Sequence, residues 1–231
     1  HSLQTTAQRR FQKGFTILAN YQFGKALDDN SISRGTATNR TDPNNQAFDK
    51  GRATFDIRHV FSFSGLWKMP FHSRSRAVDL VLGGWSLNSI VSLQSGFGLN
   101  VLSGVDNARS GNPNQRADLR GNMFLPSDRT RAERIMEWMN KAAFGPNALG
   151  TYGTTGRNIL PGPGTANVDA GLVKDFAVTE RIVTTLRFEA FNVLNRVNLG
   201  DPNTSQNAAN FMRITGAGAP RILQFALRLR W

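Results

Sequence analysis

Apolar and polar residues alternate along several stretches of the chain, and the pattern is clearest at its C-terminal end. In residues 222–231 a large apolar side chain stands at every second position, with polar or small side chains between them. A period of two is typical of a β-strand with one apolar face and one polar face. The apolar face of this predicted strand carries Leu223, Phe225, Leu227, Leu229 and Trp231. Its polar face carries Arg228 and Arg230.

The preceding predicted strand, residues 182–194, repeats the pattern. Leu186 and Phe188 share its apolar face, while Arg187 and Glu189 share its polar face. A soluble β-sandwich would also alternate, with its apolar residues facing a core. The aromatic residue at position 231 favours a membrane interface, because aromatic rings form belts at both interfaces of transmembrane barrels.

The same alternation predicts an all-β chain of about seven antiparallel strands. The predicted strands span residues 1–11, 15–25, 54–69, 85–93, 166–176, 182–194 and 222–231. One short helix is predicted inside a long loop, over residues 127–140, with Ser127 as its N-cap.

The connections between these strands alternate in length. Short connections are predicted at 13–14, 70–83 and 177–181, and long ones at 27–52, 96–163 and 195–220. In an antiparallel barrel every second connection lies at the same rim. Short turns at one rim and long loops at the other are typical of outer-membrane barrels, whereas a soluble sandwich has no reason to separate them.

Seven strands cannot close a barrel of this kind, because single-chain bacterial barrels have even strand numbers. An open edge in hydrocarbon leaves unpaired backbone groups, each costing several kcal/mol. Either a strand is hidden in residues 97–163, or strands upstream of position 1 complete the barrel. The chain starts in strand-like alternation without a signal peptide, which favours the second alternative.

The charge balance leaves a soluble alternative open. The chain has 28 Lys and Arg residues against 16 Asp and Glu, giving a net charge of +12. A basic all-β protein that binds nucleic acid would account for this charge. Against it, the arginines are scattered along the chain rather than gathered in one patch, and no RNA-binding motif is present. We therefore expect no nucleic-acid partner.

No pattern in the chain predicts catalysis, a cofactor or a metal. The chain has no Cys, and its three His residues lack ligand spacing. Asp28, Asp29 and Asp42 lack the spacing of a calcium loop and are interpreted as solvated loop carboxylates. Glu133 and Glu137 are interpreted as surface residues of the predicted helix. No Gly-x-Ser-x-Gly sequence marks a nucleophile, so we expect no enzymatic activity.

Several short motifs carry a family resemblance. They are Gly-Pro-Gly-Thr-Ala-Asn-Val-Asp at 162–169, Lys-Asp-Phe at 174–176, Arg-Phe-Glu-Ala-Phe-Asn-Val-Leu-Asn at 187–195, Gly-Gly-Trp at 83–85, Leu-Gln-Ser-Gly at 93–96 and Asp-Ile-Arg-His at 56–59. Further matches lie at 198–203, 213–215 and 220–227. With these motifs the whole chain resembles the C-terminal barrel of TonB-dependent outer-membrane receptors, in particular the Oar-like subgroup with a carboxypeptidase-regulatory-like domain.

The resemblance implies that residues 1–231 are the C-terminal part of a barrel of roughly 22 strands, plugged from inside by an N-terminal domain. The plug and the signal peptide are absent here. Implied partners are outer-membrane lipid and lipopolysaccharide, the missing plug and strands, the TonB complex through the missing region, and the barrel-assembly machinery through the last strand. The family commonly ends on Phe, and the aromatic Trp231 is expected to keep that recognition. The implied location is the outer membrane of a Gram-negative bacterium.

Within such a barrel the two strand faces receive different roles. The predicted lumen-facing residues, which would contact the plug or a passing solute, are Asp169, Arg187, Glu189, Arg228 and Arg230. Alternatively, these charges pair with one another as ordinary lumen charges. The predicted lipid-facing or belt residues are Leu186, Phe188, Leu223, Phe225, Leu227, Leu229 and Trp231. The resemblance also leaves open an adhesion or structural barrel that transports nothing.

Overall fold

The computed structural model describes residues 1–12, 14–33, 36–37, 41–42, 44–112, 115–177 and 182–231. Seven long strands form one antiparallel sheet in which every strand pairs with its neighbours in chain order. The strands are β1 (Ser2–Gln12), β2 (Phe15–Gly24), β3 (His59–Lys68), β4 (Trp85–Gln94), β5 (Thr165–Ala177), β6 (Val183–Phe191) and β7 (Ile222–Arg230).

The all-β class and the seven strands confirm the prediction from alternation. Strands β1 and β7 are the two edges, and the sheet does not close on itself. An open seven-stranded sheet is the expected form of an incomplete barrel.

Two strand ends differ from the prediction for local reasons. Strand β3 starts at His59 rather than near 54, because the preceding residues form a turn in which the Asp56 amide donates to the Ala53 carbonyl at 3.1 Å. Strand β6 ends at Phe191 rather than 194, because Asn192 takes a left-handed conformation with φ 51°. Asparagine is one of the few side chains that adopt this conformation readily.

The alternation of connection lengths is present in the structure. Gly14 has φ +85°, as the predicted tight turn between β1 and β2 requires. Its neighbour Lys13 lies outside the described residues, as do residues 178–181 of the predicted β5–β6 connection. The third short connection, between β3 and β4, contains a helix that the sequence pattern did not predict: α1 (Arg76–Leu82). Its apolar residues are spread around the helix, so seven residues gave no recognisable stripe.

The predicted helix over 127–140 is real but shorter. Helix α2 spans Arg131–Met136, and its N-cap is Thr130 rather than Ser127. The Glu133 amide donates to the Thr130 hydroxyl, and the Glu133 carboxylate accepts from the Thr130 amide at 2.7 Å. This reciprocal capping box decides where the helix begins.

The long connections contain only small elements. The two-residue strand pairs are Leu27–Asp28 with Gly51–Arg52, Ile32–Ser33 with Thr36–Ala37, Gly98–Leu99 with Leu160–Pro161, and Asp118–Leu119 with Phe144–Gly145. Short 3₁₀ helices span Gln46–Asp49 and Lys141–Ala143. Within the described part of 97–163, no strand is long enough to cross a bilayer, so the hidden-strand alternative is wrong for those residues.

The buried apolar core lies in the connections and not on the sheet. Its members are Val101, Ala117, Ala143, Phe144, Leu160 and Met212. Backbone bonds tie the connections together, for example from the Leu102 amide to the Thr204 carbonyl and from the Trp138 amide to the Met212 carbonyl. We call the described residues of 25–58, 95–164 and 192–221 the cap. In the described residues, no helix is both long and apolar enough to cross a membrane.

Candidate functional site

One face of the sheet is apolar across strands β2 to β7. Residues that pair across an antiparallel ladder point to the same side, and the pairs Leu186 with Leu227 and Phe188 with Phe225 join β6 to β7. The rings of Phe188 and Phe225 meet edge to face, with centroids 5.4 Å apart. The register carries this face through Leu172 on β5 to Leu87 on β4. We call it the apolar face.

The apolar face is exposed to an unusual degree for its chemistry. Phe23 on β2 is 43% exposed, Leu93 on β4 is 40% exposed and Phe188 on β6 is 38% exposed, although each of these strands has a neighbour on both sides. Soluble monomers rarely expose a contiguous apolar patch larger than a few hundred Å². A surface of this kind requires an apolar environment, such as the hydrocarbon core of a membrane.

The predicted lipid-facing residues occupy this one face. The register places Leu186, Phe188, Leu223, Phe225, Leu227 and Leu229 together on it. Trp231 follows the last residue of β7 and is 95% exposed. Their contact with lipid remains a prediction.

Aromatic rings gather at both ends of the apolar face. At the rim of the short connections, Phe15 stacks on Trp67 with centroids 5.5 Å apart, and Phe71 lies 6.4 Å from Trp67. At the opposite rim, beside the cap, the Tyr21 hydroxyl and the His59 Nδ1 are 2.9 Å apart. Two aromatic girdles flanking an apolar band are typical of outer-membrane barrels.

A buried cation fastens helix α1 to the rim of the apolar face. The Lys174 ammonium donates to the Gly83 carbonyl at 2.6 Å and to the Val81 carbonyl at 3.0 Å, and it lies 4.7 Å from the centre of the Trp85 ring. The side chain runs along the apolar face, so its charge ends on carbonyls at the C-terminal end of the helix. A methyl group on Gly84, at φ +72°, would lie 2.1 Å from the Asp175 carbonyl oxygen. The Gly-Gly-Trp and Lys-Asp-Phe motifs therefore form one structural joint.

The opposite face of the sheet is polar and carries the predicted lumen residues. The register places Asp169, Arg187, Glu189, Arg228 and Arg230 together on this polar face. Arg187 and Glu189, two residues apart on β6, form an ion pair at 2.6 Å. The Arg187 side chain is 47% exposed, so this pair contributes little to stability.

Asp169 has a positioning role that no sequence pattern indicated. Its carboxylate accepts from the Asn167 side chain at 2.7 Å and from the Asn192 amide at 2.8 Å. The Asn192 side chain in turn donates to the Arg196 carbonyl at 2.9 Å and accepts from the Arg196 amide at 2.9 Å. Asp169 thus holds the start of the β6–β7 connection rather than pairing with an arginine of the polar face in the described residues.

A cavity of about 320 Å³ lies on the polar face. Its polar wall includes Ser64, Asn88, Asp169 and Glu189. A methyl group on Gly171 would lie 2.2 Å from the Asn88 amide oxygen. The absence of a side chain at Gly171 therefore leaves room for the Asn88 side chain. The cavity therefore presents hydroxyl and amide groups together with two carboxylates.

Two buried arginines connect the first long connection of the cap to the second. Arg116 donates to the Asp49 carboxylate at 2.6 Å, and each side chain is 4% exposed. Arg157 pairs with Asp28 and donates to the Ser31 hydroxyl at 2.6 Å. The interpretation of Asp28 as a solvated carboxylate is therefore wrong. These contacts span up to 129 residues of sequence, and no local pattern indicated them.

The described residues give no sign of a metal centre. No group of three or more His, Asp or Glu side chains among them could hold a metal ion. The Asp42 carboxylate accepts from the Asn44 amide at 2.9 Å, and Glu137 accepts from the Lys141 amide at 2.9 Å. Glu133 serves the capping box of α2.

Comparison with known proteins agrees with this architecture. The family described as an outer membrane beta barrel domain matches residues 1–224. No curated protein and no solved structure matches the chain. The family match covers strands β1 to β6, the cap and the first residues of β7, and so includes most of the apolar face, both aromatic girdles and the segregated connections. The chain belongs to the family of outer membrane beta barrel domains.

Proposed function

We propose that this outer-membrane barrel domain is the C-terminal part of a TonB-dependent receptor, of the Oar-like type, which takes up a solute across a Gram-negative outer membrane. The observation that carries the proposal is the cap, in which three long connections are joined at one rim of the sheet. The second and third connections share one core, and buried ion pairs join the first to the second. A purely structural barrel needs only strands and turns. A cap with fixed side chains provides a recognition surface at the mouth of the barrel.

The polar face supports the same proposal. It carries the ion pair of Arg187 and Glu189 and the cavity beside Asp169. In the complete receptor this face would contact the N-terminal plug and the passing solute, and TonB would act through the plug. The apolar face would contact lipid and lipopolysaccharide. Upstream strands would pair with the open edges, and the assembly machinery would recognise β7.

Uptake can be tested without knowing the solute. We would grow the parent strain, a strain lacking the full-length receptor and a strain lacking TonB in the same medium, and compare the solutes that each removes by mass spectrometry. The proposal predicts at least one solute that the parent removes and both mutant strains leave.

The same strains separate uptake from adhesion. If loss of the receptor left solute removal unchanged but reduced attachment of cells to a surface, the barrel would be an adhesion protein. That outcome would overturn the proposed transport function while leaving the barrel fold intact.

A further inference from the structure

Four arginines of the cap line one cleft. The cleft has a volume of about 420 Å³ and lies between α2, the residues just before β5 and the start of the β6–β7 connection. Its basic wall consists of Arg129, Arg131, Arg134 and Arg196. The expectation that arginines do not gather in one patch is wrong for these four, because Arg196 joins the other three only through the fold.

Two of the arginines are fixed by backbone carbonyls. Arg129 donates to the Glu137 carbonyl at 2.6 Å, to the Trp138 carbonyl at 3.1 Å and to the Pro126 carbonyl at 3.3 Å. Arg134 donates to the Ser127 carbonyl. These bonds hold the guanidinium groups in place but do not neutralise their charge.

The nearby carboxylates are occupied elsewhere. Glu133 accepts two hydrogen bonds from Thr130, which lower its pKa, and the charge of Arg129 lowers it further, so it stays ionised within the capping box. Glu137 accepts from the Lys141 amide. Neither carboxylate lines the cleft. In the described part of the chain, none of the four arginines forms an ion pair.

The other two arginines face the cleft without a hydrogen-bond partner for their side chains among the described residues. Arg131 and Arg196 are both exposed, and Trp138 forms part of the wall between them and the start of β5. The Trp138 ring is fixed by a bond from its Nε1 to the Pro161 carbonyl at 2.7 Å. Like charges in one cleft repel each other, and a multiply charged anion removes that repulsion.

We infer that this cleft binds a multiply charged oxyanion, the phosphate or sulfate groups of a ligand. The planar guanidinium fork matches such groups with two parallel hydrogen bonds. Arg131 and Arg196 contact the anion, while Arg129 and Arg134 supply fixed positive charge. The phosphate can belong to a soluble solute or to the headgroup of lipopolysaccharide. The site does not depend on TonB.

The test uses the purified full-length receptor in an uncharged detergent at low salt, with inorganic pyrophosphate as the probe. We expect binding by titration calorimetry, and a loss of affinity of at least about tenfold in Arg131→Gln/Arg196→Gln. The matched control is Arg74→Gln/Arg76→Gln, which removes the same charge from exposed residues at the opposite rim and should leave the affinity unchanged. The double variant Arg131→Lys/Arg196→Lys keeps the charge but loses the fork, and should bind with intermediate affinity.

Two results would overturn the inference. One is no binding of pyrophosphate by the natural receptor at about 10 mM. The other is an equal loss of affinity in the cleft variant and the opposite-rim control, which would indicate only a general charge effect.

Lipopolysaccharide copurifying with the receptor distinguishes the two sources. A lower lipopolysaccharide content in Arg131→Gln/Arg196→Gln would identify the headgroup phosphates as the ligand. An unchanged content, with pyrophosphate displaced only by soluble anions, would identify a soluble solute. Each result supports an oxyanion site, and neither measurement requires uptake, so failure of the transport proposal leaves the test valid.

Discussion

The guanidinium group of Arg116 donates to the carboxylate of Asp49 at 2.6 Å, with both side chains almost completely buried. The two residues belong to different long connections and are 67 positions apart. The Arg116 guanidinium also stacks on Phe48, 4.3 Å from its ring centre, and donates to the Phe48 carbonyl at 2.9 Å. Burial lowers the pKa of Arg116, and the Asp49 carboxylate opposes that effect. This buried ion pair thus holds the first and second long connections of the cap together.

Replacing Arg116 with Met should loosen the cap. The change leaves Asp49 buried without its cation, which costs about 3–5 kcal/mol for a pair of this kind. Hydrogen exchange in the full-length receptor should accelerate in peptides covering 44–52 and 101–112. Arg187→Met, which breaks an exposed pair worth less than about 1 kcal/mol, is the control and should leave these peptides unchanged. Equal exchange in both variants would show that the buried pair does not hold the cap.

A charge on the apolar face should block membrane assembly. Leu227 and Ala226 are neighbours at the centre of β7 and point to opposite faces of the sheet. An arginine on the lipid side near the bilayer midplane costs about 2–4 kcal/mol, whereas an arginine on the polar side is tolerated. Leu227→Arg should therefore reduce the heat-modifiable, folded receptor in outer-membrane fractions, and Ala226→Arg should not. If Ala226→Arg were the more damaging change, the assignment of the two faces would be reversed.

Replacing Lys174 with Met should release helix α1. The ammonium loses its bonds to the Gly83 and Val81 carbonyls, and bonds from a charged donor are worth about 1.5–3 kcal/mol each. Amides of residues 76–83 should exchange faster in the full-length receptor, while those of the cap keep their protection. Lys25→Met, at an exposed position near the opposite rim, serves as the control. Unchanged exchange at α1 in the Lys174 variant would contradict the proposed joint.

Acid should open the first connection of the cap at the Asp56 contacts. Burial alone would raise the pKa of Asp56, but bonds from the Ala26 amide and the guanidinium groups of Arg52 and Arg58 outweigh it, and the pKa lies below its ordinary value. A lowered folded-state pKa means that the contribution to stability is complete above the unfolded value and is lost as pH falls through the folded value. Hydrogen exchange near residues 26 and 52–58 should thus be protected above about pH 4 and increase below it.

The variant Asp56→Asn removes the titrating group and provides the comparison. It should exchange faster at neutral pH, because the two guanidinium groups lose their anion, and should show a smaller change between pH 5 and pH 3. An acid transition as large as that of the natural protein would assign the pH dependence to other carboxylates.

The order and direction of the strands were predictable from the chain alone. Alternation is a local property: a strand turns successive side chains to opposite faces, so Phe225 and Leu227 share a face whatever lies beside them. Connection lengths follow directly from the strand positions. The same local signals failed for α1, since a seven-residue helix without a stripe gives no period, although Ser75 before it and Gly83 after it are ordinary helix boundaries.

The arrangement of the cap was decided only by the tertiary structure. Asp49 pairs with Arg116, and Arg134 lines one cleft with Arg196, although no sequence period relates their segments. The second and third long connections pack around Phe144 and Met212, and buried ion pairs join the first connection to the second. Asn192 shows where local sequence patterns stop being sufficient and tertiary contacts are needed. Its identity fits a left-handed residue, but only its bonds to Asp169 and Arg196 explain why the strand ends there. Strand periodicity is determined by residues that are adjacent in the sequence, whereas loop packing depends on contacts between residues distant in the chain.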